Sequence, residues 1–221
     1  VVVSDLDGES GGSCFGLATG QAGGRKTVAC DQYYSLNGGA RVQVWQNWSQ
    51  TDFMQRVLFE VRGQNGHMPR HRGNRCKEMI VEQLRNRRMP IIIEEEDRLR
   101  MERIEDLRDI FEETGVPVVL VGEEGLLGLL TERRRIWSRV VHEVEFGPIS
   151  GEEVAVYALD AAGLDIPDDL CGRIAAKAEG DFRLVRNMLL LLEQSARAQE
   201  RGDVGEGMLD TVLKAKSWRR K

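Results

Sequence analysis

No uninterrupted apolar run approaches the roughly 18 residues needed to cross a bilayer, so nothing in this chain reads as a membrane span. Cysteine is scarce. Cys14, Cys30, Cys76 and Cys171 lie far apart and show no CxxC or Cys/His spacing. That argues against a disulfide framework or a zinc site, and four free thiols fit a reducing, cytoplasmic setting. Histidine is rarer still. His67 and His71 are four residues apart, but Pro69 between them breaks the helix that a paired metal site would need. The chain has neither an initiator Met nor a signal-peptide pattern. It opens on Val1-Val2-Val3 and reads as a fragment.

With 221 residues, 41% of them hydrophobic, the chain is long enough for one sizeable core and a small second domain. The net charge of −5 argues against nucleic acid as a partner, but its distribution argues for it. Gln55–Met89 holds nine Arg or Lys against three Glu, a local +6 that leaves −11 for the rest. Clustered charge creates a local field that the total conceals.

Ser13–Thr19 is a short apolar run that predicts a buried strand, followed by a glycine cluster and a helix from Lys26 to about Leu36. Ala40–Trp45 alternates like a strand, and Ser49 is an N-cap for a helix over Gln50–Val61. Gly63–Gly73 reads as a basic loop and Asn74–Arg87 as a helix. Pro90–Ile93 and Val116–Val121 are fully apolar strands flanking a helix over Glu102–Glu113, which Gly115 ends. Continuous apolar strands between helices mean a sheet covered on both faces, hence a parallel α/β domain. A helix over Glu124–Arg134 and a strand over Val140–Phe146 complete it. From Ser150 the pattern becomes helical: Ser150–Ala162, Pro167–Glu179, Asp181–Arg201 and Glu206–Lys216. The expected division is an α/β domain over 1–148 and a helical domain over 149–221, with the apolar face Val185, Met188, Leu189, Leu191, Leu192 packing on the sheet domain.

Two stretches carry chemistry. Gly20-Gln21-Ala22-Gly23-Gly24-Arg25-Lys26-Thr27 follows a strand and opens a helix. In that context backbone N–H groups cradle phosphate, a lysine reaches the β and γ phosphates, and a threonine binds Mg²⁺. Gly20, Lys26 and Thr27 match GxxxxGK[ST], whereas Arg25 replaces the second glycine and predicts a strained or obstructed loop. Ile91-Ile92-Ile93-Glu94-Glu95-Glu96-Asp97 ends an apolar strand in carboxylates. Adjacent carboxylates there point in different directions, so Glu94 is the candidate metal-side acid and Glu95 the candidate base. The competing readings are a glycine-rich turn and a solvated acidic loop.

In this order the motifs resemble those of the AAA+ ATPases: the phosphate loop, a Walker B-like IIIEEEDRL, a sensor-1-like VPVVLVGEEGL, the arginine-rich ERRRIWSR and a sensor-2-like GDFRLVRNML. The resemblance implies a P-loop NTPase fold of parallel sheet flanked by helices, followed by a small helical lid. Within AAA+, VWQNWSQTDF, RIEDLRDIFEETGVPVVLVGEEGL and RIWSRVVHEVEFGPIS resemble the MuB/TnsC/IstB-like transposition ATPases. That group implies ATP and Mg²⁺ as cofactors, ATP hydrolysis, homo-oligomers on duplex DNA and a transposase partner. By the same resemblance Gly20, Gly23, Gly24, Lys26, Thr27 and Glu123 would bind nucleotide, Thr27 and Glu94 the metal, and Arg183 would be the sensor arginine. A helicase loader or replication initiator, or a module that binds nucleotide without turnover, are alternatives within the fold. The chain departs from the family pattern at Arg25 (for Gly), Glu94 (for Asp) and Glu123 (for a polar sensor), which bears on hydrolysis more than on binding.

AAA+ subunits complete each other's sites with an arginine, and Arg139 is the first candidate, with Arg133, Arg134 and Arg135 as rivals. Arg70, Arg72, Arg75 and Lys77 are the candidate DNA contacts, since basic side chains neutralise phosphates with little sequence preference. Trp45 and Trp48 are suited to stacking on bases, but at a strand end and a helix start they read as core.

Overall fold

The computed structural model describes residues 15–21, 23, 25–63, 67–95, 99–199, 204–215 and 217–219. The chain divides into two compact units. One runs to Gly20 and resumes over Lys26–Phe146; the other joins Gln21–Arg25 to Gly147–Lys221.

The first unit is built on five strands: β1 (Phe15–Gly20), β2 (Ala40–Gln43), β3 (Ile91–Glu94), β4 (Val118–Val121) and β5 (Val140–Phe146). They pair in the order β2-β3-β4-β1-β5, every pair parallel. Helices α1 (Lys26–Asn37), α2 (Gln50–Val61), α3 (Gly73–Asn86), α4 (Met101–Thr114), α5 (Gly125–Thr131) and α6 (Arg134–Trp137) make the connections. Strand periodicity divides the apolar residues between two faces. Phe15, Leu17, Val42, Ile91, Ile93, Val118 and Leu120 enter the larger core with α2, α3 and α4. Ala18, Ile92, Val119 and Val121 form a smaller cluster with Tyr33 of α1.

Several boundaries differ from the sequence reading, each for a local reason. β4 begins at Val118 because Pro117 has no N–H to donate, and its carbonyl accepts from Ile91 instead. β2 pairs only to Gln43, and Val44 N–H then reaches back to Glu94 O at 2.9 Å. The helix expected over Glu124–Arg134 is two, because Arg133 leaves helical geometry at φ −109°, ψ 80°. Trp48 packs on the core as expected, but Trp45 stands 66% exposed, its ring stacked on Trp48 at 6.0 Å.

The second unit contains α7 (Gly151–Ala162), α8 (Asp168–Lys177), α9 (Phe182–Ala198) and α10 (Glu206–Ala215). Ser150 and Glu153 close a capping box on α7, and Gly163 ends that helix in the left-handed region at φ 62°. The apolar face of α9 is consumed here: Val185, Met188, Leu189 and Leu192 are buried with Val154, Leu170, Ile174 and Leu209. That face therefore serves the helical unit's own core, which corrects the expectation that it packs on the sheet. Among the described residues no helix is long and apolar enough to cross a membrane.

Candidate nucleotide site

Parallel strands gather all their carboxyl ends on one edge of a sheet, and ligands of such sheets bind there, where the strand order reverses. β1 is that reversal point, with β4 on one side and β5 on the other. Gly20 ends β1 with φ 155°, and a Cβ there would overlap the Phe146 carbonyl of β5. Lys26 and Thr27 open α1, whose first turn carries no acidic side chain of its own to oppose an anion at the positive pole of the helix. Thr27 is exposed, and Lys26 Nζ donates to Gly20 O at 2.5 Å.

The middle of the loop belongs to the helical unit. Gly23 has φ 82°, and a Cβ on it would overlap the Asp181 carboxylate. Its carbonyl accepts from Phe182 N–H at 3.1 Å. Arg25 is ion-paired to Glu153 of α7. Among the described residues the non-glycine ones with positive φ are Asn47, Glu95 and Glu179, so Arg25 is held without the backbone strain that its substitution for glycine predicts. Gly24 lies outside the described residues.

Glu94 ends β3 in register with Val121 of β4, and Val121 is in turn in register with Ala18 of β1. One intervening strand puts Glu94 roughly 10 Å from β1 on the same edge. Its side chain shares the α1 face of the sheet with Ile92. It is 4% exposed and ion-paired to Arg41, which also binds Asp31 of α1. These pairs hold the Arg41 guanidinium firmly protonated, its hydrogen bond to Glu94 being the largest cause and burial opposing it. Beside them, burial and then the charge of Glu94 push the Cys30 thiol up to about 12. Glu95, half-buried, turns the chain through the left-handed region at φ 59°. Glu123, two residues past β4, is exposed at this same edge. Arg41 was not anticipated as a site residue, because only the β2–β3 register reveals which acid it meets.

Arg139 is elsewhere. It precedes β5, and its carbonyl accepts from Phe15 N–H at the opposite end of β1 from Gly20. Five residue steps of strand separate the two ends, roughly 16 Å. Its guanidinium pairs with Glu112 of α4. Arg183 stands 60% exposed on the first turn of α9, 3.4 Å from Asp181. Arg70 and Arg72 are exposed, with no ion-pair partner among the described residues. Arg75 pairs with Glu78 at the surface, and Lys77 with Asp106 and Asp109. Burial works against the charge on Lys77, and hydrogen bonds to the two carboxylates more than restore it.

A five-stranded parallel sheet with a glycine-bounded phosphate loop after β1, an acidic end on β3 and a trailing helical unit defines a P-loop NTPase fold of the AAA+ type. The chain belongs to the AAA domain family, whose model matches residues 10–130. It is 27% identical over 137 residues to the DNA transposition protein B of the Mu-like prophage FluMu of Haemophilus influenzae, covering 58% of this chain and 47% of that protein. It is 26% identical over 113 residues to a potential ATP-binding protein of Staphylococcus aureus, covering 47% and 42%. Its fold is similar to that of the Aeropyrum pernix ORC2 protein, with TM-score 0.76, 13% identity and coverage of 98% and 65%. It is also similar to the Thermotoga maritima RuvB Holliday junction branch migration motor, with TM-score 0.62, 17% identity and coverage of 97% and 65%. The chain thus spans less than half of either sequence relative.

Proposed function

We propose that this chain is an ATP-dependent, DNA-binding AAA+ ATPase of DNA transposition, which oligomerises on duplex DNA and activates a transposase. The nucleotide part of the reading is carried by the phosphate loop, where Lys26 and Thr27 open a helix free of acid in its first turn. The transposition part is supported by the 27% identity to the prophage protein.

The residues fit a nucleotide triphosphate. Gly20 and Gly23 let the loop pass close to Phe146 and Asp181, where a side chain would collide, and the lysine and helix N-terminus that follow are what polyphosphate needs. In this reading Gly20, Gly23, Gly24 and Lys26 hold phosphate and Glu123 adjoins the γ-phosphate. Thr27 and Glu94 hold Mg²⁺, whose chemistry is to neutralise charge on the β and γ phosphates. Among the described residues no cluster of three His, Cys, Asp or Glu could hold a metal alone, so the phosphates themselves would supply the remaining ligands. Glu95 orients and deprotonates the attacking water. Arg183 contacts phosphate from α9. Arg139, at the far edge of the sheet, serves the site of another copy, which makes the protein a homo-oligomer.

For DNA, the weight falls on Arg70 and Arg72, which have no carboxylate partner among the described residues. Arg75 and Lys77 contribute less, since each already faces acid. Electron microscopy with duplex DNA and a slowly hydrolysed ATP analogue is expected to show nucleotide-dependent rings or filaments. No DNA binding in either nucleotide state at low salt would sink the reading. Arg70→Ala with Arg72→Ala is expected to reduce the slope of log affinity against log salt by about two.

A second reading, a replication initiator or helicase loader, is favoured by the backbone likeness to ORC2 and to the Cdc6 protein of Pyrobaculum aerophilum, at TM-scores 0.76 and 0.66. Transposase stimulation in a strand-transfer assay discriminates between the two. A third, binding without turnover, is favoured by the Arg41 pair on Glu94. Phosphate release from the chain and from Arg25→Gly measures it.

A further inference from the structure

Position 25 carries a guanidinium where phosphate loops of this pattern carry glycine, and the chain makes specific provision for it. Arg25 Nη1 donates to Glu153 Oε1, and Nη2 faces Gly147 O at 3.5 Å. The side chain is 27% exposed, and its Nε is buried without a hydrogen-bond partner. The acceptor is fixed in advance. Glu153 is the N3 residue of the α7 capping box, and its second oxygen accepts from Ser150 N–H at 2.9 Å. A carboxylate locked in a capping box is a preorganised counter-ion, unlike a freely rotating surface glutamate. Two neighbouring contacts fix the same stretch of loop: the Phe182 N–H bond to Gly23 O, and the Asp181 carboxylate against the Gly23 Cα.

We propose that Glu153 is a positioning residue for the nucleotide site: it sequesters the Arg25 guanidinium at the α7 N-terminus, so that a loop with arginine at the glycine position still accepts phosphate. The inference rests on reading Gly20–Thr27 as the phosphate loop. A half-buried guanidinium deprived of its carboxylate takes other acceptors, because leaving its donors unmet is costly. The acceptors nearest in sequence are carbonyls of its own loop. Peptide groups that turn their oxygens toward Arg25 no longer present their N–H groups to an anion. Glu153 prevents this, and the need for it disappears when residue 25 is glycine.

The test is a titration of the full chain with a fluorescent ATP analogue. It compares the parent, Lys26→Ala, Glu153→Gln, Arg25→Gly and the Arg25→Gly/Glu153→Gln double variant. Glutamine keeps an oxygen for Ser150 N–H but loses the charge that holds Arg25. Glu153→Gln is expected to bind about tenfold more weakly, and the double variant to return to within about twofold of the parent. A purely structural role in capping α7 would leave the Glu153→Gln defect unrelieved by Arg25→Gly, and that result overturns the proposal. Unchanged or tighter binding by Glu153→Gln overturns it as well, since Arg25 would then be a phosphate ligand or a bystander. A parent that binds no better than Lys26→Ala overturns the phosphate-loop reading, and this inference with it.

Discussion

Replacing Arg41 by methionine would strand Glu94, a carboxylate that is 4% exposed, without its counter-ion. Breaking such a pair from one side costs about 3 kcal/mol, while replacing both partners by apolar residues is close to neutral. Arg41→Met is therefore expected to lower the denaturation midpoint sharply, and Arg41→Met/Glu94→Met to recover most of the loss. Equal stability of the two variants would count against the pair. Cys30 reports on the same cluster. With its thiol raised from 9.0 to about 12, its thiolate fraction at pH 8 falls about a thousandfold below that of an unperturbed thiol. Peptide-resolved alkylation is expected to leave Cys30 unmodified in the folded protein and to label it after denaturation. Glu94→Gln should change this little, because burial is the larger cause. Glu94 was legible in the sequence because the apolar run Ile91–Ile93 ends on it. Arg41 was not: the alternation of ARVQVW gives the face of the sheet on which it lies but not the acid it meets.

Helix starts show how far local signals carry. Ser49 with Asp52, and Ser150 with Glu153, form complete capping boxes. The N-cap at Ser49 was readable from residue type alone, since a short hydroxyl satisfies amides that the first turn leaves bare. Hydrogen bonds from Ser49 hold the Asp52 carboxyl below the usual range. At Glu153 burial pulls upward, but the Ser150 N–H and the Arg25 guanidinium outweigh it and lower the carboxyl. Depressed folded values mean that this stabilisation is fully present above the ordinary glutamate value near 4.5 and is lost as pH falls through the folded values. Thermal melts are expected to show a decline below that pH which Asp52→Asn/Glu153→Gln makes shallower. Identical acid sensitivity of parent and double variant would refute the contribution. Ser49→Ala and Ser150→Ala should each cost about 1 kcal/mol at neutral pH. The break between α5 and α6 escaped the sequence reading, because neither glycine nor proline marks Arg133.

At the scale of the molecule, the apolar strands separated by helices announced a covered parallel sheet, and the structure has one. The order of its strands was beyond local inference. β4 meets both β3 and β1, and the β1 partners, such as Phe15 and Val118, lie about a hundred positions away in the chain. Whether copies share a site is testable by mixing. If the chain hydrolyses ATP as proposed, Lys26→Ala and Arg139→Ala are each expected to lose that activity. If Arg139 serves a neighbour's nucleotide, combining the two variants restores a fraction of it. Mixtures no more active than their parts would show that Arg139 acts within its own copy or not at all.

The phosphate loop starts at one end of β1 and Arg139 closes against the other. A contact made between those two ends joins unlike surfaces, so it is directional. An assembly built from it has a head and a tail. If the rotation between copies closes, every site is complete. If it does not, and Arg139 serves a neighbour's nucleotide as proposed, one terminal copy would hold nucleotide without a partner's arginine, while the opposite terminus would offer an arginine with no nucleotide to meet. Growth and loss at the two termini would then proceed at different rates, and the age of the bound nucleotide would be recorded as a gradient along the chain of copies.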